Sequence, residues 1–243
     1  MNTLRCTISY NREVIGYCGF TNLLTINNTN IFKFEFIEYT SKQNRLIEEG
    51  DDLYVSIGIL NVKGEEVPLI ELKIIPIEDT SLNNGKDIII TGHVISKYKT
   101  DVYDQSIIDL LIMLKDDKLK WSSLKKSHKS KYLNVIFKVY GRIEKFNTHN
   151  IFVNCFNIRD EDDFYYELNK AVAGERKYFA SNLSSLEDIL IDLAIISKKK
   201  VTIVFNDISN VKRVIGTTYF NEFFKILSKA NIEIKESGVP PRE

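Results

Sequence analysis

The hydrophobic period of this 243-residue chain changes once, near residues 146–150, and no other feature constrains the fold as much. Before that point apolar residues alternate with polar ones. Leu4, Cys6, Ile8 and Tyr10 alternate with Thr3, Arg5, Thr7 and Ser9, and Phe32, Phe34 and Phe36 with Lys33 and Glu35. Successive side chains of a strand point to opposite faces, so a period of two marks a half-buried strand. Similar runs at 53–59, 70–74, 88–94 and 133–143 are separated by turn signals such as Lys63-Gly64 and Asn84-Gly85. These runs predict an antiparallel sandwich or barrel. One helix interrupts it over 102–115, where Ile107, Ile108, Leu110, Leu111 and Leu114 form a broad apolar face.

After the short polar connection 146–150, strand and helix signals alternate. Residues 151–158 predict a strand, and Asp160 can cap a helix in which Phe164, Leu168 and Val172 recur every four residues. The apolar run 201–205 suits a strand buried on both faces. Phe220, Phe223, Phe224, Ile226 and Leu227 mark an amphipathic helix, and Ile232 and Ile234 a last strand before a Pro-rich tail. Parallel neighbours need crossover connections, usually helices, so this order predicts a small, mainly parallel three-stranded sheet. The expected fold is an α+β two-domain chain, with a mainly antiparallel β domain over 1–148 and a small α/β domain over 149–243.

The cleanest helical pattern lies at 178–193. Leu183, Leu186, Ile189, Leu190 and Leu193 fall on one stripe at about 100° per residue, and Ser181, Ser184, Ser185, Asp188 and Asp192 on the opposite one. Asn182 or Ser181 can serve as N-cap, accepting an unpaired N–H of the first turn. The helix therefore turns carboxylates away from the core. By spacing alone this is a solvated face, as most outward Asp residues are.

Tyr178, Asn182, Leu183, Leu186 and Asp188 resemble the Tyr-x-x-x-Asn-Leu-x-x-Leu-x-Asp signature of the barstar family, small intracellular inhibitors of secreted ribonucleases. Phe152, Val153, Asn154, Ile158, Asp163 and Phe164 resemble its first strand and the start of its first helix. Residues 201–206 resemble its second strand, and 219–234 its last helix and strand. The resemblance covers about 150–237 and implies a barstar-like second domain. By it, Asp188 enters a nuclease active site where substrate phosphate would lie, and Tyr178, Asn182, Ser184 and Glu187 line the same interface, with Asp192 further along the helix. Ser184 stands where the family often has Asp, and Glu187 where it often has Trp, which favours a related ribonuclease toxin over barnase itself. The function implied is that of an immunity protein occluding the active site of a cognate ribonuclease toxin.

Charge is balanced overall but segregated along the chain. Residues 115–145 hold ten Lys or Arg against three acids, net +7, and residues 160–192 hold nine acids against three bases, net −6. A local negative field favours a basic partner. The basic segment, interleaved with Trp121 and Tyr132, offers an alternative: a nucleic-acid-binding or regulatory protein, since Lys neutralises phosphates and aromatics stack on bases. A solvated basic face with aromatic core anchors accounts for it better, so nucleic acid is not expected as a partner.

Cys6, Cys18 and Cys155 are odd in number and lack CxxC spacing, which suggests neither a disulfide framework nor a zinc site. His93, His128 and His149 have no metal-ligand or catalytic spacing, and the eleven glycines contain no nucleotide-binding pattern. No enzyme, cofactor or metal site is expected. No apolar run approaches the roughly 20 residues that span a bilayer, and the start carries no basic-then-apolar leader, so the expected location is the cytoplasm.

Overall fold

The computed structural model describes residues 4–25, 31–41, 44–60, 64, 66–83, 85, 87–96, 105–115, 119–196 and 200–237. Two compact units divide the chain, Met1–Leu119 and Lys120–Glu243.

In the first unit the period-two runs become β1 (Leu4–Tyr10), β2 (Glu13–Cys18), β3 (Phe20–Thr25), β4 (Ile31–Ile37), β5 (Thr40–Ser41), β6 (Arg45–Ile47), β7 (Leu53–Leu60), β8 (Glu66–Pro76), β9 (Thr80–Leu82) and β10 (Ile88–Ser96). Helix α1 (Gln105–Lys115) follows. Eight strands form one antiparallel sheet in the order β3-β4-β10-β8-β7-β1-β2-β5, and β6 pairs with β9 separately. β3 and β5 are the open edges, yet β1 also lies against β3. The result is a curled half-barrel rather than a closed barrel or a two-sheet sandwich.

The inward residues alternate as expected: Cys6 and Ile8, Phe34 and Phe36, Leu53, Val55, Ile57 and Ile59, and Leu72 and Ile74 are all buried. Gly16 leaves room for the Tyr39 ring, which any Cβ there would strike, and the Tyr39 hydroxyl donates to the Ile15 carbonyl at 3.3 Å. Cys6 and Cys18 are register partners across β1 and β2, and all three cysteines are free and buried. In α1, Leu110, Leu111 and Leu114 are buried. Residues 102–104 of the expected helix, and the turn residues Lys63 and Asn84, lie outside the described residues.

The second unit begins with a 3-10 turn, Trp121–Ser123, and helix α2 (Lys126–Tyr140). Then come β11 (Asn150–Val153), α3 (Glu161–Ala173), α4 (Leu183–Ile196), β12 (Val201–Phe205), α5 (Ile208–Ile215), α6 (Thr217–Lys229) and β13 (Ile232–Glu236). The sheet has the order β11-β12-β13 and both pairings are parallel, with Ile151 opposite Ile203 and Ile203 opposite Ile234. Phe164, Phe205, Phe220 and Phe223 meet in the core, Phe164 and Phe223 edge to face at 5.2 Å between ring centres.

Three sequence expectations are corrected here, and one unexpected helix is added. Residues 133–143, read as a strand, lie mostly in helix α2, because Tyr132, Leu133, Val135, Ile136 and Val139 are buried together on one helical face. Local β-branched composition gave way to tertiary packing against α3. The strand expected over 151–158 stops at Val153, where the chain turns and the Cys155 N–H donates to Asn206 Oδ1 at 2.7 Å. β12 alternates between buried and half-buried residues and so is buried on one face only. Helix α5 was not anticipated; Asp207 caps it by accepting the Asn210 N–H at 2.8 Å.

Residues 120–148, grouped by sequence with the β-rich half, lie in the second unit. The reason is a buried ion cluster. Asp163, 1% exposed at the start of α3, accepts hydrogen bonds from Trp121 Nε1 (2.7 Å), Lys129 Nζ (2.8 Å) and Arg159 Nε (2.9 Å). Burial would raise its pKa, but these three donors outweigh it and hold the carboxyl below its usual range. Trp121 also stacks on Tyr166, ring centres 4.2 Å apart and nearly parallel.

Candidate protein-binding face

Helix α4 starts with a reciprocal cap. Asn182 Oδ1 accepts the Ser185 N–H at 2.8 Å, while Ser185 Oγ accepts the N–H groups of Ser181 (2.9 Å) and Asn182 (3.1 Å). Of the two caps the sequence allowed, Asn182 is the one used, and Ser185 plays the return half of a capping box. Leu186, Ile189, Leu190 and Leu193 are buried, as the apolar stripe requires.

On the opposite face Ser184, Glu187, Asp188 and Ile191 are exposed and Asp192 is half-buried. Residues three and four apart on a helix are neighbours, so four of the six candidate residues share one surface: Ser184, Glu187, Asp188 and Asp192. The other two sit differently. Asn182 is exposed, but its side chain is engaged as the cap. Tyr178 is buried at 8%, its ring 4.9 Å from that of Phe137 and its hydroxyl 2.9 Å from Ser181 Oγ. It shapes the segment before the helix more than it offers surface.

Part of the acidic stretch 160–192 is engaged within the unit. Asp160 caps α3, Glu161 accepts from the Tyr219 hydroxyl at 2.5 Å, and Asp163 holds the cluster above. On the α4 face, Glu187 faces Lys229 at 3.6 Å and Asp192 meets Arg142 at 2.5 Å. Asp188 makes no hydrogen bond or ion pair with any described residue, the only carboxylate on this face in that state. Exposed ion pairs contribute little and exchange readily, so Glu187 and Asp192 remain open to a competing partner.

The segment that leads into α4 is held by residues that sequence reading passed over. Asn169, buried on α3, accepts the N–H groups of Phe179 (2.6 Å) and Ala180 (3.2 Å), and its Nδ2 donates to the carbonyls of Ala180 and Tyr165. All four of these contacts lie in the interior, where an unpaired polar group is costly. From the other side, Tyr178 and Arg142 form a parallel bridge: the Ile143 N–H donates to the Tyr178 carbonyl at 2.9 Å and the Tyr178 N–H to the Gly141 carbonyl at 3.1 Å. Gly141, at φ 72°, ends α2 and turns the chain into this bridge. The Tyr219 hydroxyl, 2.9 Å from that of Tyr165, is shifted to a pKa of about 12 by burial and by its bond to Glu161. The only sequence signal for Asn169 was a polar residue in an otherwise buried helical stretch.

Among the described residues no group of three or more His, Cys, Asp or Glu is placed to hold a metal ion, and no helix is long and apolar enough to cross a membrane. Trp121 and Tyr132, the aromatics of the basic segment, are buried at 9% and 4% and cannot stack on bases. What the arrangement offers is a rigidly held helix presenting a free carboxylate.

Comparison with known proteins gives no match among curated proteins and none among solved structures. Residues 148–242, which contain the capped helix, its exposed Asp188 and the parallel sheet behind them, match the family described as Barstar (barnase inhibitor), and the C-terminal part of the chain is therefore a barstar-like domain.

Proposed function

We propose that this chain is an immunity protein that binds a cognate ribonuclease toxin and blocks its active site with helix α4. The observation that carries this reading is Asp188: exposed, unpaired among the described residues, and placed on the capped helix of a domain matching an inhibitor family. A ribonuclease must hold cations in its cleft to bind phosphate. A carboxylate inserted among them replaces that phosphate, and the surrounding negative field steers the encounter. The protein itself supplies binding and no catalysis, and it acts in the cytoplasm, where the RNA needing protection is.

The test is inhibition of RNA cleavage. Unmodified chain is titrated into a panel of purified ribonucleases with basic active-site clefts, and residual cleavage of a fluorogenic RNA is followed. One or more should be inhibited at near-stoichiometric ratios, and Asp188→Ala should weaken that inhibition by about 2 kcal/mol or more, the size of a binding hot spot. Equal protection by Asp188→Ala sinks this mode of inhibition. The nucleic-acid reading of residues 115–145 loses ground because Lys129 is tied to Asp163 and both aromatics are interior.

A further inference from the structure

The family match begins at residue 148, yet the second unit begins at Lys120. The added piece, α2 and the turn after it, meets the segment leading into α4 at one point and the α4 face at another. Phe137, 44% exposed, lies with its ring against Tyr178. Arg142, through the bridge that follows Gly141, reaches Asp192 one helical turn beyond Asp188. Along the exposed stripe of α2, Lys126, Ser130 and Asn134 are polar and Phe137 alone is a large apolar group. On α4, Ile191 is 59% exposed amid the carboxylates, between Asp188 and Asp192 in sequence.

A single exposed apolar side chain is ordinary. Here an exposed aromatic ring abuts the segment leading into α4, next to a residue that is ion-paired to α4 itself. Interfaces are anchored by aromatic side chains surrounded by polar groups, and charges at their rim set the rate of encounter.

We infer that the partner-binding surface extends beyond the barstar-like residues onto α2, with Phe137 as an apolar anchor against the ribonuclease and Arg142 as the residue that limits the negative field by pairing with Asp192. This rests on the proposed function. The occupant is the same ribonuclease, because the turn after α2 is ion-paired, through Arg142 and Asp192, to the face that carries Asp188. Phe137 would then supply a second hot spot outside the residues the family shares, and Arg142 would tune which basic clefts are attracted.

The experiment uses the full chain and whichever ribonuclease of the panel it inhibits, with association and dissociation followed separately. Phe137→Ser should raise the dissociation rate about 30-fold, the equivalent of a typical hot spot, with little change in association. Phe137→Tyr should restore slow dissociation. Arg142→Gln should speed association at low salt by freeing Asp192, and the gain should vanish as salt is raised. Hydrogen exchange of the unmodified chain, with and without the ribonuclease, gives a reading free of mutational unfolding: amides 137–143 should gain protection in the complex. If Phe137→Ser dissociates at the unmodified rate and 137–143 gain no protection, while Asp188→Ala still fails to inhibit, the surface ends at the family boundary and the proposed function stands. If Asp188→Ala inhibits normally, or no ribonuclease of the panel is inhibited, the proposed function falls and this surface with it.

Discussion

Asp163 and Asp188 come from the same acidic stretch, and the fold uses them in opposite ways. Asp163 opens α3 inside the unit, where Trp121, Lys129 and Arg159 satisfy it. Asp188 stands on the outside of α4 with no partner among the described residues. The first joins the 120–140 segment to the barstar-like domain; the second is available for another molecule. Equal charges on two helices of one unit thus serve cohesion in one place and recognition in the other. Burial decides which, because a buried carboxylate must be paired and an exposed one need not be.

The largest effect should come from removing residues 120–147. A chain starting at Thr148 loses Trp121 and Lys129, two of the three side chains that satisfy Asp163, so it should be poorly folded, whereas one starting at Lys120 should unfold cooperatively in urea. Sharp, matching transitions for both would break the contrast, making Asp163 no more structural than Asp188.

Next is the single residue. Asp163→Ala in the full chain should cost about 3–5 kcal/mol of unit stability by leaving Lys129 buried without its counter-charge. Asp188→Ala should leave stability within about 0.5 kcal/mol, as surface changes do. Denaturant melts of both variants check this; a large loss for Asp188→Ala would mean the exposed carboxylate is structural after all.

The same contrast has a pH signature. The folded state holds the Asp163 carboxyl below its usual pKa, so its stabilisation is complete above the unfolded value of about 4 and is lost as pH falls through the folded value. Thermal melts from pH 6 downward should show the second unit weakening below about pH 4, and Asp163→Asn should flatten that part of the profile. An unchanged profile would show that another carboxylate is responsible.

Smaller effects refine the recognition side. Asn182→Ala removes the cap of α4 and should cost about 1 kcal/mol of stability, with looser inhibition because the helix start frays. Lys229→Gln frees Glu187 from a 3.6 Å exposed pair and should change stability by less than about 1 kcal/mol, while speeding association with a basic ribonuclease at low salt. Slower association instead would mean Lys229 itself meets the partner.

Much of this was open to reading from residue order alone. The period-two runs of the first unit, the alternating strands and helices after residue 150, the capped helix with Leu186, Ile189 and Leu193 inside and Asp188 outside, and the Asp160 cap all depend on neighbours within one or two turns or on one strand face. Such local rules are carried by spacing. What the tertiary structure decided is of another kind. Residues 133–143 look strand-like by composition, yet most of them join helix α2 because its buried face meets α3. Asn169 becomes the anchor of residues 179–180, Arg142 neutralises Asp192, and Lys129 crosses 34 residues of sequence to reach Asp163. Pairings between distant residues leave no periodic trace, so charge counts along the chain overstated the free negative field. On α4, that Asp188 stays free was settled only when the fold had paired Glu187 and Asp192.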